Sequence, residues 1–285
     1  MKTLQPLESL YDVEYGRDLL RFPPELAKLY GSLGFPRHSD RPYILGNFVT
    51  TLDGVVELDV SSHPGGGDIS GFNQTDRMVM GILRAIADAI IVGAGTLRAS
   101  TGHRWTAEHI YPPLAHAYQE LRISQGKTEP PLNVIVSAQG GINFQQPLFQ
   151  SGQIPVLIVT TPNGAQHLQT QQPLPSTTQM RIIPTDGPIS AHDIVQAVRR
   201  IRPCHLILVE GGPRLMGDFF AEHYLDELFL TLAPQIAGRD SSSERPGLVT
   251  GKLFAPDHPV WGKLIGIKRA ENHLFLRYAF ESAIH

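Results

Sequence analysis

Residues 206–220 read LILVEGGPRLMGDFF, and this stretch limits the possible folds of the chain most tightly. Leu206, Ile207, Leu208 and Val209 form an uninterrupted apolar run. That is the pattern of a strand buried on both faces, which belongs to a sheet covered by helices on each side. The run passes without a spacer into Glu210, the Gly211-Gly212 pair and an amphipathic segment opening at Pro213, so the sequence predicts strand, tight turn and helix start. Glycines at the carboxyl end of a strand let a ligand approach the backbone, and the free N–H groups of the helix that follows favour an anion such as a pyrophosphate. A bare acid there would repel phosphate, so Glu210 is expected to face hydroxyl or amine groups of a second ligand. The alternative is a plain tight connection in which Glu210 caps the helix.

A second strand of the same kind, Ala89–Val92 (AIIV), ends in Gly93-Ala94-Gly95-Thr96. It follows a predicted helix, capped by Thr75, whose apolar residues Val79, Ile82, Leu83 and Ile86 recur at helical spacing. A lone G-x-G is weak, and no acid follows about 20 residues on to bind a ribose, so this is not the Rossmann fingerprint. The alternation of strand and helix patterns nevertheless predicts parallel strands. Both glycine turns then lie on one edge of one sheet, where open α/β folds bind ligands.

The other predicted strands are Tyr43–Thr50, Leu132–Ser137, Val156–Thr160, a short one at Arg181–Ile183, and Asp226–Ala233. The closing pair Leu264–Arg269 and His273–Phe280 reads as an antiparallel edge hairpin turning at Glu271-Asn272. Helices are expected from about Leu114 to Ser124 and from Ser190. Residues 61–71 (SSHPGGGDISG) read as a mobile loop with His63 a solvated member, Asp53-Gly54 as a turn, and Gln166–Gln179 as a surface loop. The expected fold is therefore α/β, a three-layer αβα arrangement with a mostly parallel central sheet and an antiparallel C-terminal hairpin. Residues 41–285 form one domain, preceded by an extension at 1–40 that holds a short helix near Glu25–Tyr30.

A formal charge of -3 over 285 residues without a basic block argues against nucleic-acid binding, and no apolar run reaches the roughly 18 residues of a membrane span. The opening residues carry no signal-peptide core, so a cytoplasmic location is expected. With Cys204 as its single cysteine the chain holds neither an intrachain disulfide nor a multi-cysteine zinc site, and no metal is expected.

Four motifs in order, TTLDGVV at 50–56, LRAIADAIIVGAGTLRA at 83–99, LILVEGGPRLMG at 206–217 and DELFLTLAPQIAG at 226–238, resemble the pyrimidine reductases of riboflavin biosynthesis. That family also forms the C-terminal half of the bifunctional deaminase-reductase and has a dihydrofolate-reductase-like fold. The resemblance spans roughly residues 41–280 and looks like a stand-alone member. It implies NADPH-dependent reduction of the ribosyl group of 5-amino-6-(5-phosphoribosylamino)uracil to the ribityl form, in a homodimer. The deaminase zinc signature is absent, so a reductase alone is expected.

By the same resemblance Gly93, Gly95 and Thr96 line the cofactor groove, and Gly211, Gly212, Pro213, Arg214 and Leu215 hold its phosphates. Asp53 and Glu210 are the catalytic candidates, both placed against the substrate. Arg98 reads either as a partner of a 2′-phosphate or as a solvated surface charge. His103 and Arg104 read either as the substrate-phosphate site or as a flexible basic loop. Ser100 stands where the family carries an acid, which keeps a hydrogen-bonding oxygen at the cofactor groove and loses a charge. Charged contacts there weaken by about 1.5 to 3 kcal/mol, which leaves open another aminopyrimidine or a pterin as substrate. A non-catalytic nucleotide-binding homologue is the reading from another class.

Overall fold

Alternation of side chains along the central strands decides the layering. The computed structural model describes residues 4–13, 18–36, 38, 40–58, 65–171, 173–241, 243 and 245–281. Leu45, Ile90, Val92 and Leu208 join one buried cluster with Val79, Ile82 and Leu83 of the helix Gln74–Ile86 and Leu121 of the helix Ala115–Ser124. Their neighbours Ile44, Ala89, Ile91, Ile207 and Val209 join the other. There they meet Ile194 and Val198 of the helix Ala191–Arg199 and Leu215 and Phe219 of the helix Pro213–Ala221. A strand whose two faces are both apolar thus acquires a helix layer on each side, giving three layers.

In chain order the strands of the described residues begin with β1 (Glu8–Asp12), β2 (Asp18–Leu19), β3 (Gly34–Phe35) and β4 (Tyr43–Thr50). They continue with β5 (Ala89–Gly93), β6 (Leu132–Val136), β7 (Val156–Thr160) and β8 (Thr178–Ile182). The last are β9 (Leu206–Val209), β10 (Glu227–Leu232), β11 (Lys263–Ala270) and β12 (His273–Ala279). Ten of them form one sheet in the order β1-β11-β12-β10-β4-β9-β5-β6-β7-β8, while β2 and β3 pair separately. From β10 to β8 every pairing is parallel; β12, β11 and β1 add antiparallel strands at one end. The chain steps outward from β5 to β8, returns to insert β9 between β4 and β5, and then crosses to β10. That reversal puts a crevice at the carboxyl ends of β4, β9 and β5.

Several boundaries differ from expectation. The segment before residue 41 joins the sheet through β1, which pairs with β11, and its Leu26, Leu29, Tyr30 and Leu33 enter the core. Because β11 has a neighbour on both sides, the closing strands leave no free edge. Asn73, not Thr75, caps the helix Gln74–Ile86: its Oδ1 accepts from the Asp76 N–H at 3.0 Å. Gly66–Ser70 is helical within the expected loop, and His63 lies outside the described residues. The Gln-rich segment is helical over Pro162–Gln171, because Ala165 and Leu168, three residues apart, bury one face and leave Gln166 and Gln169 to solvent. The strand expected from Arg181 begins at Thr178.

Candidate functional site

A cleft of about 2010 Å³ runs along the carboxyl ends of β4, β9, β5, β6 and β7. Its centre is the meeting of the two glycine turns. A Cβ on Gly211 would lie 2.3 Å from Val92 Cα and 2.5 Å from the Gly93 nitrogen, so only glycine lets the two backbones touch. Gly212 has φ +50°, and above Gly93 and Gly95 a Cβ would meet nothing within 4 Å. These two glycines therefore border open space. The helix Pro213–Ala221 starts at Gly212 without a side-chain cap, leaving first-turn N–H groups for the cleft. Thr96, Arg98, Ser100, Arg214 and Leu215 line the same groove. Arg98 is exposed and donates to the Gly141 carbonyl at 3.4 Å.

Beside this groove Glu210 meets Arg84, a residue the sequence reading did not single out. Arg84 donates through Nε to both carboxylate oxygens at 3.1 Å and through Nη2 to Oε2 at 2.7 Å. Their side chains are only 1% and 4% exposed. The pairing removes the objection to an acid beside a phosphate groove, because the carboxylate enters the cleft wall already neutralised. Such a buried pair stays together because removing either partner would strand a charge.

His103 lies on the other side of Arg84. An arginine can only donate, so the 2.9 Å contact from Arg84 Nη1 makes His103 Nε2 an acceptor and fixes the neutral Nδ1–H tautomer. Burial, then the charge of Arg84, lowers the His103 pKa to about 2. The imidazole thus meets Arg84 as a neutral acceptor and keeps its Nδ1–H as a donor. Arg104 is exposed and is not among the residues that line the cleft.

Asp53 is likewise absent from the cleft lining. Its carboxylate accepts from the Thr51 hydroxyl at 2.5 Å and from the backbone N–H groups of Ala237 and Gly238 at 3.1 and 2.7 Å. These bonds, the Thr51 hydroxyl first, lower its pKa to about 2. A group so acidic holds no proton at neutral pH. Asp53 ties the β4 turn to Ala237 and Gly238, at the start of the stretch from which Pro246, Thr250 and Gly251 line the cleft.

Further polar residues of the cleft wall went unread, among them Asn47 on β4, and Asp76 and Arg77 on the helix Gln74–Ile86. Their signals were present. Asn47 interrupts the apolar run YILGNFVT, and Arg77 and Arg84 stand seven apart on one stripe of a helix whose body from Met78 to Ile86 is otherwise apolar. Burial raises the pKa of Asp76. Among the described residues no group of three or more His, Cys, Asp or Glu is arranged to hold a metal. No helix of the described residues is long and apolar enough to cross a membrane.

Comparison with known proteins agrees with this architecture. Residues 42–255 match the RibD C-terminal domain. The riboflavin biosynthesis protein RibD of Aquifex aeolicus is 22% identical over 204 residues, 71% of this chain and 49% of the relative. The chain thus spans about half the length of that curated relative. Among solved structures, a pyrimidine reductase-like protein from Corynebacterium diphtheriae aligns with a TM-score of 0.65 at 23% identity, over 84% of this chain and 92% of its own. A diaminohydroxyphosphoribosylaminopyrimidine deaminase/5-amino-6-(5-phosphoribosylamino)uracil reductase from Thermotoga maritima aligns at 0.62 and 19% identity, over 85% of this chain and 57% of its own. These neighbours share the dihydrofolate-reductase-like fold expected from the sequence.

Proposed function

The chain belongs to the RibD C-terminal domain family, and from that premise we propose that it is an NADPH-dependent reductase of riboflavin biosynthesis. Its substrate in this reading is 5-amino-6-(5-phosphoribosylamino)uracil, whose ribosyl group it converts to the ribityl form. The observation that carries the reading is the junction of the two glycine turns, with open space over Gly93 and Gly95 beside an uncapped helix start and a buried Arg84–Glu210 pair.

The residues fit a dinucleotide. Gly93, Gly95, Thr96, Arg98 and Ser100 would hold it on the β5 side, and Gly211, Gly212, Pro213, Arg214 and Leu215 on the β9 side. When bound, NADPH supplies the hydride. The chain itself supplies position: the Arg84–Glu210 pair and neutral His103 form a rigid polar wall, whose unused carboxylate acceptors suit sugar hydroxyls. Asp53 contributes at a distance, by holding the 237–251 segment over the cleft. A cytoplasmic homodimer completes the reading.

The test is the fall in NADPH absorbance when the purified protein meets the phosphoribosylaminopyrimidine, with NADH and dihydrofolate in parallel. Oxidation of NADPH with the pyrimidine alone is expected. A protein without saturable NADPH binding would end the proposal.

A further inference from the structure

Asn47 is 8% exposed, yet its side-chain amide forms no hydrogen bond with any described residue, and it borders the cleft. The amide is not among the buried polar atoms that lack a partner, so it opens onto the cleft, where a ligand can take the place of water. Its position on the sheet shows what stands beside it. Asn47 pairs in register with Phe229 and Val49 with Thr231, so side chains 47, 49, 229 and 231 share the face covered by the helix Gln74–Ile86. Asn47, Thr231 and Val79 line one small void. One helical turn before Val79, the carboxyl of Asp76 is 6% exposed, bonds the hydroxyls of Thr231 and Ser70, and borders the cleft. An amide from the sheet and a carboxyl from the helix therefore reach one wall, joined through Thr231.

An amide presents a donor and an acceptor side by side, the complement of an N–H/C=O edge, and a carboxyl beside it suits an amine or ring N–H. An amide N–H also donates to phosphate oxygens, so it is the carboxyl of Asp76 beside it that argues for a neutral ring edge rather than an anion. We propose that Asn47 and Asp76 read the N–H/C=O edge of a pyrimidinedione ring, and so set which heterocycle the cleft accepts. The assignment deepens the reductase reading and rests on it.

The experiment measures binding of the reduced product, 5-amino-6-(5-phosphoribitylamino)uracil, to NADP⁺-loaded wild type, Asn47→Leu and Asp76→Asn by calorimetry. Its N3-methyl analogue, thermal unfolding and wild-type turnover are run alongside. The expected result is at least a 30-fold loss of product affinity in Asn47→Leu and about 10-fold in Asp76→Asn, with NADP⁺ affinity within twofold. Wild type should reject the methylated ring, and Asn47→Leu should no longer discriminate. The melting temperature of Asn47→Leu should not fall, because leucine of similar size breaks no hydrogen bond to a described residue; a merely structural role would lower it.

Product affinity within threefold of wild type in Asn47→Leu, or no product binding by wild type, overturns the assignment. Asn47-dependent binding without NADPH oxidation supports the subsite and sinks the proposed reaction; oxidation at wild-type KM in Asn47→Leu does the reverse. Should the leucine variant not fold, isosteric Asn47→Asp carries the same comparison.

Discussion

The two ends of the parallel sheet use the same residue types to opposite effect. At the amino-terminal end, Asp88 accepts from the His205 and Leu206 N–H groups at 2.8 and 2.9 Å and pairs with Lys127 at 2.6 Å. Asp226 accepts from Arg41 at 2.7 and 2.5 Å and from the Ile44 N–H at 2.7 Å. Asp88 thus ties the start of β5 to that of β9, and Asp226 the start of β10 to that of β4. At the carboxyl end, glycines border open space, Asn47 borders the cleft, and the Arg84–Glu210 pair faces it. Burial alone does not separate a structural polar group from a functional one. What the group borders, a strand start or the open cleft, does.

The largest expected effect comes from the closed end. Asp226→Ala leaves Arg41 and the buried Ile44 N–H without their partner, and about 3 to 5 kcal/mol of stability should disappear. A urea titration reads this directly, and NADPH affinity of the folded protein should stay within twofold. A variant that kept its stability and lost NADPH affinity would break the distinction between the two ends.

Next comes a contrast within the open end. Gly211→Ala forces a Cβ into the Val92–Gly93 backbone, so strain of about 1 to 3 kcal/mol is expected together with loss of NADPH binding. Gly95→Ala meets no atom and lies within the helix Ala94–Ala99, where alanine is favoured over glycine by about 0.5 to 1 kcal/mol. It should therefore melt no lower than wild type and bind NADPH at least tenfold more weakly. Equal NADPH affinity in Gly95→Ala would mean that the open space over that glycine is not where the dinucleotide lies.

The same contrast explains what the sequence disclosed. β5, β6, β7 and β9 were legible because burial on both faces leaves uninterrupted apolar runs. Strand β1 was not: ESLYD is exposed at all five residues, and only its pairing with β11, more than 250 residues away, makes it a strand. The helix Pro162–Gln171 was hidden by its polar composition. At the site, both glycine turns and Glu210 were legible because they adjoin strands in the chain. Arg84 is 126 residues from Glu210, and no local pattern announces a partner at that distance. The contact that makes His103 an acceptor was illegible for the same reason, because it depends on Arg84, 19 residues away.

The smallest effect belongs to Asp53, whose role separates position from chemistry. Its pKa is lowered from 3.8 to about 2 by the Thr51 hydroxyl and the Ala237 and Gly238 N–H groups. A depressed acid stabilises the fold above its unfolded value, so that contribution is fully present above about pH 4 and is lost as the pH falls from about 4 to about 2. Asp53→Asn should lower the melting temperature by a constant amount from pH 5 to 8, and the gap should close by pH 2. The substitution should also reduce kcat/KM, through a loosened 237–251 segment, without moving the limbs of the pH profile between pH 5 and 9. A limb that disappeared in Asp53→Asn would return this carboxylate to the chemistry and make the β4 turn part of the reacting end of the molecule.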